Sequence, residues 1–282
     1  MSVIYLNGNF CNEDEALVSV NDTGYYYGDG VYEYIFKYDN KLVDINGHLD
    51  RLIASLEKAY IKNYPSKQEI VNTIEELIKY NPNIKYGGIY LQITRGISER
   101  SHSFFKLNLK PSMMMKILPT ETDFKTIEKL NCKIVNDPRR MRRDIKMLSL
   151  MPMVISKYEV ERDGYDDVIY YNDKLNSITE GCSFNIFIVD KNNTLITAPL
   201  GEELLAGITR NRLIKIAKGN DYKVEERYYS KQELYDAKEV FSSDSGHFIS
   251  SIVKVDGNII GNGDIGDITK DLYSEYIKFI AE

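Results

Sequence analysis

The chain has 282 residues, enough for one large domain or two ordinary ones with a sizeable core. Its 43% hydrophobic and 28% charged residues are those of a globular protein, and a net charge of −6 repels a polyanion, which excludes nucleic acid as the expected partner. Cys11, Cys132 and Cys182 lack the Cys-x-x-Cys spacing of a structural zinc site, and no window approaches the roughly 20 apolar residues of a membrane span. The first residues read as a strand and turn instead of a signal peptide, so no membrane association and a cytoplasmic location are expected.

The elements follow in chain order. Gly24, Gly28 and Gly30 make a tight turn into a strand over 31–38, where alternate residues Tyr32, Tyr34 and Phe36 share a face. Either one of these aromatics, Tyr32 first among them, covers a ligand or all three are core. Asp39-Asn40 is the turn of a hairpin returning over 41–44. Asn46 is the expected cap of a helix to about residue 60, with Leu49, Leu52, Leu56 and Ala59 at helical spacing. Ser66-Lys67-Gln68-Glu69 has the form of a capping box and opens a helix to about residue 80. Buried strands are expected over 88–94 and 112–118, and the polar stretch 119–129 reads as an interdomain linker.

Beyond it a strand over 132–135 precedes a helix over 148–162, stopped at Gly164. Strands over 167–171, 185–189 and 240–243 and helices over 209–218 and 270–281 complete the pattern. This mixed order predicts an α+β protein of two subdomains: an N-terminal α/β subdomain over 1–118, a linker over 119–130, and a C-terminal subdomain over 131–282.

Several segments carry chemistry. Lys146 lies in Arg142-Arg143-Asp144-Ile145-Lys146-Met147-Leu148, where burial and cationic neighbours favour a neutral amine able to attack an aldehyde. Glu180, in Glu180-Gly181-Cys182-Ser183-Phe184-Asn185, is an acid able to keep a pyridine nitrogen protonated. Arg51, on the amphipathic helix, offers a fork suited to a phosphate dianion, unless it is a solvated surface residue. Arg100 and His102 project to one side of an extended backbone and form a receptor for a carboxylate, or are ordinary loop residues. Gly207-Ile208-Thr209-Arg210 opens a helix whose free N–H groups and threonine hydroxyl can hold phosphate, and Ser242-Ser243-Asp244-Ser245 is a second hydroxyl-rich turn. The run Arg139, Arg140, Arg142, Arg143 is too short for a nucleic-acid stripe, and His48, His102 and His247 lack metal-ligand spacing.

Together, and in this order, these blocks resemble the fold type IV pyridoxal 5′-phosphate (PLP)-dependent aminotransferases, along the whole chain. The carrying text is Gly28-Asp29-Gly30-Val31-Tyr32-Glu33, His48-Leu49-Asp50-Arg51-Leu52, Thr94-Arg95-Gly96 leading to Arg100-Ser101-His102, Asp144-Ile145-Lys146, Thr179-Glu180-Gly181 with Asn185, and Gly207-Ile208-Thr209-Arg210. The Arg-x-His element is similar to the D-amino-acid-specific branch.

The resemblance implies that Lys146 bonds the cofactor aldehyde and moves the substrate proton, and that Glu180 pairs with the ring nitrogen. It implies that Arg51, Ile208, Thr209 and Ser243 hold the phosphate. Tyr32, Arg100 and His102 would trap the substrate carboxylate, the last two from a neighbouring subunit, so a homodimer with shared active sites is expected. The implied reaction is a ping-pong exchange between D-amino acids and 2-oxo acids, D-alanine and 2-oxoglutarate to pyruvate and D-glutamate. A branched-chain L-amino-acid aminotransferase or an aminodeoxychorismate lyase on the same scaffold is the alternative. Asp244 departs from the family pattern, since a carboxylate beside phosphate is repelled, and it is expected to point away.

Overall fold

The computed structural model describes residues 2–121, 124–139 and 142–282, which leaves Arg140 of the basic run outside the described residues. The chain forms two compact units, Met1–Thr122 with Ile145–Leu150, and Asp123–Asp144 with Met151–Glu282. Lys146 thus belongs to the first unit although it follows the start of the second, an assignment that a single boundary over 119–130 does not give.

The first unit contains β1 (Val3–Leu6), β2 (Asn9–Asn12), α1 (Thr23–Tyr27), β3 (Gly30–Tyr38), β4 (Lys41–Leu42), α2 (Ile45–Lys58), α3 (Lys67–Tyr80), β5 (Tyr86–Thr94) and β6 (Ser112–Pro119). Its antiparallel sheet runs β2-β1-β6-β5-β3-β4. Alternation along β3 and β5 sends Ile35, Ile89, Leu91 and Ile93 into a core completed by Leu49, Leu52 and Leu56 of α2 and Ile70, Ile74 and Leu77 of α3. The expected Asp39-Asn40 hairpin and the Ser66–Glu69 capping box are both present. The α2 cap is corrected: the helix starts at Ile45 after Asp44, held at φ 48, so Asn46 is already helical.

Gly28 ends α1 at φ 64, a left-handed conformation that glycine adopts without penalty, and turns the chain into β3. Against the start of β3 lies the segment carrying Lys146. Tyr32 N donates to Lys146 O at 3.0 Å, Leu148 N donates to Gly30 O at 3.0 Å, and Val31 bridges Met147.

The second unit contains β7 (Lys129–Asn136), α4 (Met151–Arg162), β8 (Asp167–Asn172), β9 (Ser177–Gly181), β10 (Asn185–Val189), β11 (Leu195–Thr197), α5 (Ile208–Gly219), β12 (Val224–Glu226), α6 (Lys231–Tyr235), β13 (Glu239–Asp244), β14 (Phe248–Val255), β15 (Asn258–Ile259) and α7 (Asp267–Ala281). Among the described residues its sheet runs β12-β11-β10-β13-β14-β7-β8-β9, and β9 returns to β10 through Glu180 opposite Asn185, so strands β10 to β9 close on themselves. Closure pairs both ends of the run from β10 to β9 and gives Ile169, Ile178, Ile186, Ile188 and Ile252 a common core.

The helix expected from residue 148 starts at Met151, because 146–148 are committed to β3. Helix α7 starts earlier than expected, because Glu239 accepts the Ile268 and Thr269 N–H groups at 3.1 and 2.8 Å. No helix among the described residues is long and apolar enough to cross a membrane.

Candidate active site

In the first unit Ile145 is buried in the core and anchors Lys146. Lys146 N donates to Ser55 Oγ at 3.3 Å and its carbonyl accepts from Tyr32, so the main chain is fixed on both sides. The side chain is half-buried, with Nζ 4.2 Å from the centre of the Tyr32 ring. Two residues singled out in the sequence, Lys146 and Tyr32, are therefore in contact.

The next residue, Glu33, faces the opposite way and is wholly buried. Arg51 donates Nε and Nη2 to its two oxygens, both at 2.7 Å, and His48 Nδ1 lies 2.8 Å away. Burial alone pushes this carboxyl up, but the Arg51 charge and hydrogen bonds, with His48, hold it at about 2. Burial lowers His48 against the opposing pull of Glu33. Arg51, expected as a phosphate ligand, thus commits two of its nitrogens to Glu33.

Arg100 and His102 lie in an irregular exposed segment after β5, not the extended backbone expected. The structure gathers them by another means. The Arg100 guanidinium is 5.6 Å and the His102 ring 5.4 Å from the centre of the Tyr27 ring, whose buried Oη has no hydrogen-bond partner among the described residues. Arg95 fixes the root of this segment. It is bidentate to Asp29 at 2.7 and 2.9 Å, donates to the Tyr60 and Ala59 carbonyls, and lies 3.7 Å from the Phe104 ring.

In the second unit Glu180 is buried on β9. Oε1 accepts from Arg139 Nη1 at 2.6 Å, and Oε2 accepts from Leu205 N at 3.0 Å and Asn185 Nδ2 at 3.4 Å. Burial raises its affinity for a proton, and Arg139 and the Leu205 N–H oppose this only in part.

Nearby, Gly207 caps α5 without a side-chain bond, which leaves the N–H groups of Ile208 and Thr209 at the helix start. A side chain at 207 would collide with Asn185, since a Cβ there would lie 2.0 Å from Oδ1, so only glycine fits. The Thr209 hydroxyl donates to the Asp244 carbonyl at 2.9 Å, so it is already engaged where the sequence leaves it free for phosphate. That bond also ties α5 to the end of β13, where Ser243 Oγ is buried without a partner among the described residues. The Asp244 carboxylate is turned into its own loop and accepts the Gly246 and His247 N–H groups at 2.6 and 2.8 Å.

Taken by itself, the second unit offers two helix-start N–H groups and a buried hydroxyl that suit the phosphate of PLP and a buried carboxylate that suits its ring nitrogen; the first unit, taken by itself, offers a lysine amine that suits its aldehyde.

The family model for class IV amino-transferases matches residues 30–255. The chain belongs to the class IV aminotransferases. It is 34% identical over 281 residues to a D-alanine aminotransferase of Staphylococcus haemolyticus, covering 99% of this chain and 98% of that protein. A branched-chain aminotransferase of the archaeon Thermoproteus uzoniensis, solved with norvaline, superposes with a TM-score of 0.89 at 25% identity, covering 99% of this chain and 94% of that one. The Escherichia coli branched-chain aminotransferase has the same TM-score at 24% identity over 98% and 94%, a likeness of fold. As a class IV aminotransferase the protein is a fold type IV enzyme that uses PLP to exchange an amino group between amino acids and 2-oxo acids.

Sequence reasoning missed Glu33, Tyr27, Asp137 and Arg139. For Glu33 a signal exists: an acid inside an apolar strand, followed by His48 and Arg51 three residues apart on one helix face.

Proposed function

We propose that this aminotransferase acts on D-amino acids, with D-alanine and 2-oxoglutarate as its substrates and pyruvate and D-glutamate as products. The observation that carries this reading is the pair of hydrogen-bond donors, the Arg100 guanidinium and the His102 imidazole, set around the Tyr27 ring on the segment after β5. A guanidinium with an adjacent imidazole is a receptor for an α-carboxylate. The D-alanine aminotransferases at 34% identity support the same choice.

Bound PLP supplies an electron sink for the charge that forms at the substrate Cα and carries the amino group between the half-reactions. Lys146 Nζ would take the proton from Cα of the amino acid in one half-reaction and deliver a proton from the same side to the carbon derived from the oxo acid in the other. Tyr32, Arg100 and His102 fix the carboxylate, so the clamp decides which hand is made. Glu180 keeps the ring nitrogen protonated. Ile208 and Thr209 through their N–H groups, Ser243 through Oγ and Arg51 through its guanidinium hold the phosphate.

The working form in this reading is a cytoplasmic homodimer in which Arg100 and His102 serve the partner's site. Both residues are exposed, and so are Phe105 at 89%, Leu17 at 85% and Val20 at 70%, side chains that an association would cover.

A branched-chain L-amino-acid enzyme is the second reading, favoured by the TM-score of 0.89 to branched-chain aminotransferases. Initial rates with D-alanine and L-leucine decide between them. A preference for D-alanine is expected, and a clear preference for L-leucine overturns the assignment.

A further inference from the structure

Glu180 is the end of a chain of alternating charges. Its Oε1 meets Arg139, Arg139 is bidentate to Asp137 at 2.7 and 2.9 Å, Asp137 lies 2.9 Å from Arg143, and Arg143 pairs with Glu203. Asp137, Arg139 and Arg143 are all at most 12% exposed, so solvent screens the links little. Arg139 is clamped further, by its own N–H to Asp137 at 2.9 Å, by its carbonyl accepting from Arg143 at 2.8 Å, and by the Tyr170 ring 4.3 Å from its guanidinium. Among the described residues three carboxylates alternate with two guanidinium groups, so this chain of charges is one cation short, and Glu180 at its buried end meets the single guanidinium of Arg139.

We infer that Arg139 is a positioning residue that keeps Glu180 ionised and aimed, so that the missing cation is the protonated ring nitrogen of the cofactor. The inference rests on the reading of Glu180 as that nitrogen's partner. The physical reason is a contest for one proton between two bases. Arg139 lies directly on the carboxylate, 2.6 Å from Oε1, so it would lower the proton affinity of Glu180 more than that of a nitrogen bound beyond that carboxylate. With Arg139 present the proton stays on nitrogen; without it, the buried carboxylate takes the proton and the ring becomes neutral. Arg143 and Glu203 act at a distance, by holding Asp137 and through it the guanidinium plane.

The test uses the full-length enzyme reconstituted with PLP labelled with 15N in the ring. Wild type should show the chemical shift of a protonated pyridinium. R139Q should move it toward that of a neutral pyridine and lower kcat on the order of 10²-fold, and R139K should restore most of both. R143Q, which leaves the contact with Glu180 in place, should give a smaller displacement in the same direction. A wild-type shift in folded R139Q overturns the inference. Should R139Q not fold, R143Q decides in its place: displacement toward neutral pyridine supports the chain, and a wild-type shift overturns it. A neutral ring in the wild type itself is a failure of the reading of Glu180, distinct from a failure of Arg139.

Discussion

Each unit buries one glutamate beside an arginine, and the two carboxyls go opposite ways. Glu33 receives two guanidinium nitrogens and an imidazole nitrogen and is held at about 2. Glu180 receives one guanidinium nitrogen from Arg139, whose other donors serve Asp137, and burial wins, so its proton affinity is raised. Equal burial with unequal compensation separates two jobs. A saturated ion cluster holds β3 and α2 together, whereas an undercompensated carboxylate is left to bind a cation that the chain itself does not supply.

The comparison can be broken first at Glu33. Glu33→Gln removes the carboxylate that accepts two Arg51 nitrogens and should cost about 3–5 kcal/mol in denaturant unfolding, while the folded fraction keeps its visible cofactor band. Unchanged stability with lost turnover would reverse the roles of the two acids. Next is Glu180→Gln, which should leave the unfolding midpoint nearly unchanged and lower kcat on the order of 10²–10³-fold.

Acid sharpens the contrast. A carboxyl held at about 2 when folded, against about 4.3 unfolded, stabilises above the unfolded value, and that stability is lost as pH falls through the folded one. Wild type should therefore lose about 3 kcal/mol from this source between roughly pH 4.5 and 2, and Glu33→Gln should lack that component in a pH series of unfolding curves. Glu180, raised when folded, works with the opposite sign and gains relative stability on acidification. The smallest effect is expected at the exposed Arg100: Arg100→Ala should raise KM for every amino acid by roughly 10-fold or more and leave the cofactor band intact. Loss of the band would move Arg100 from the substrate to the cofactor.

What could be read in the sequence was local. The Ser66–Glu69 box opens α3 as expected because both partners lie within four residues. The start of α7 was hidden because Glu239, which caps it, comes from a strand 28 residues earlier. The helix after Lys146 was begun too early because its first residues are used by β3, a non-local pairing that periodicity does not register. The same limit applies to the site. Lys146, Glu180 and the α5 start can be singled out as candidates from residue type and order. The setting of Arg100 and His102 around Tyr27 was not, nor was the partnering of Arg139 with Asp137 and Glu180, because such pairs have no fixed spacing. Closure of the barrel through Glu180 and Asn185 likewise joins short strands that no motif marks.

The central claim is that the amine at position 146 carries the cofactor. Reduction of the coloured enzyme with borohydride, followed by proteolysis and mass mapping, tests it most directly. A pyridoxyl group on the peptide containing Lys146 is the predicted result. The same group on a different lysine, or on none, contradicts the account.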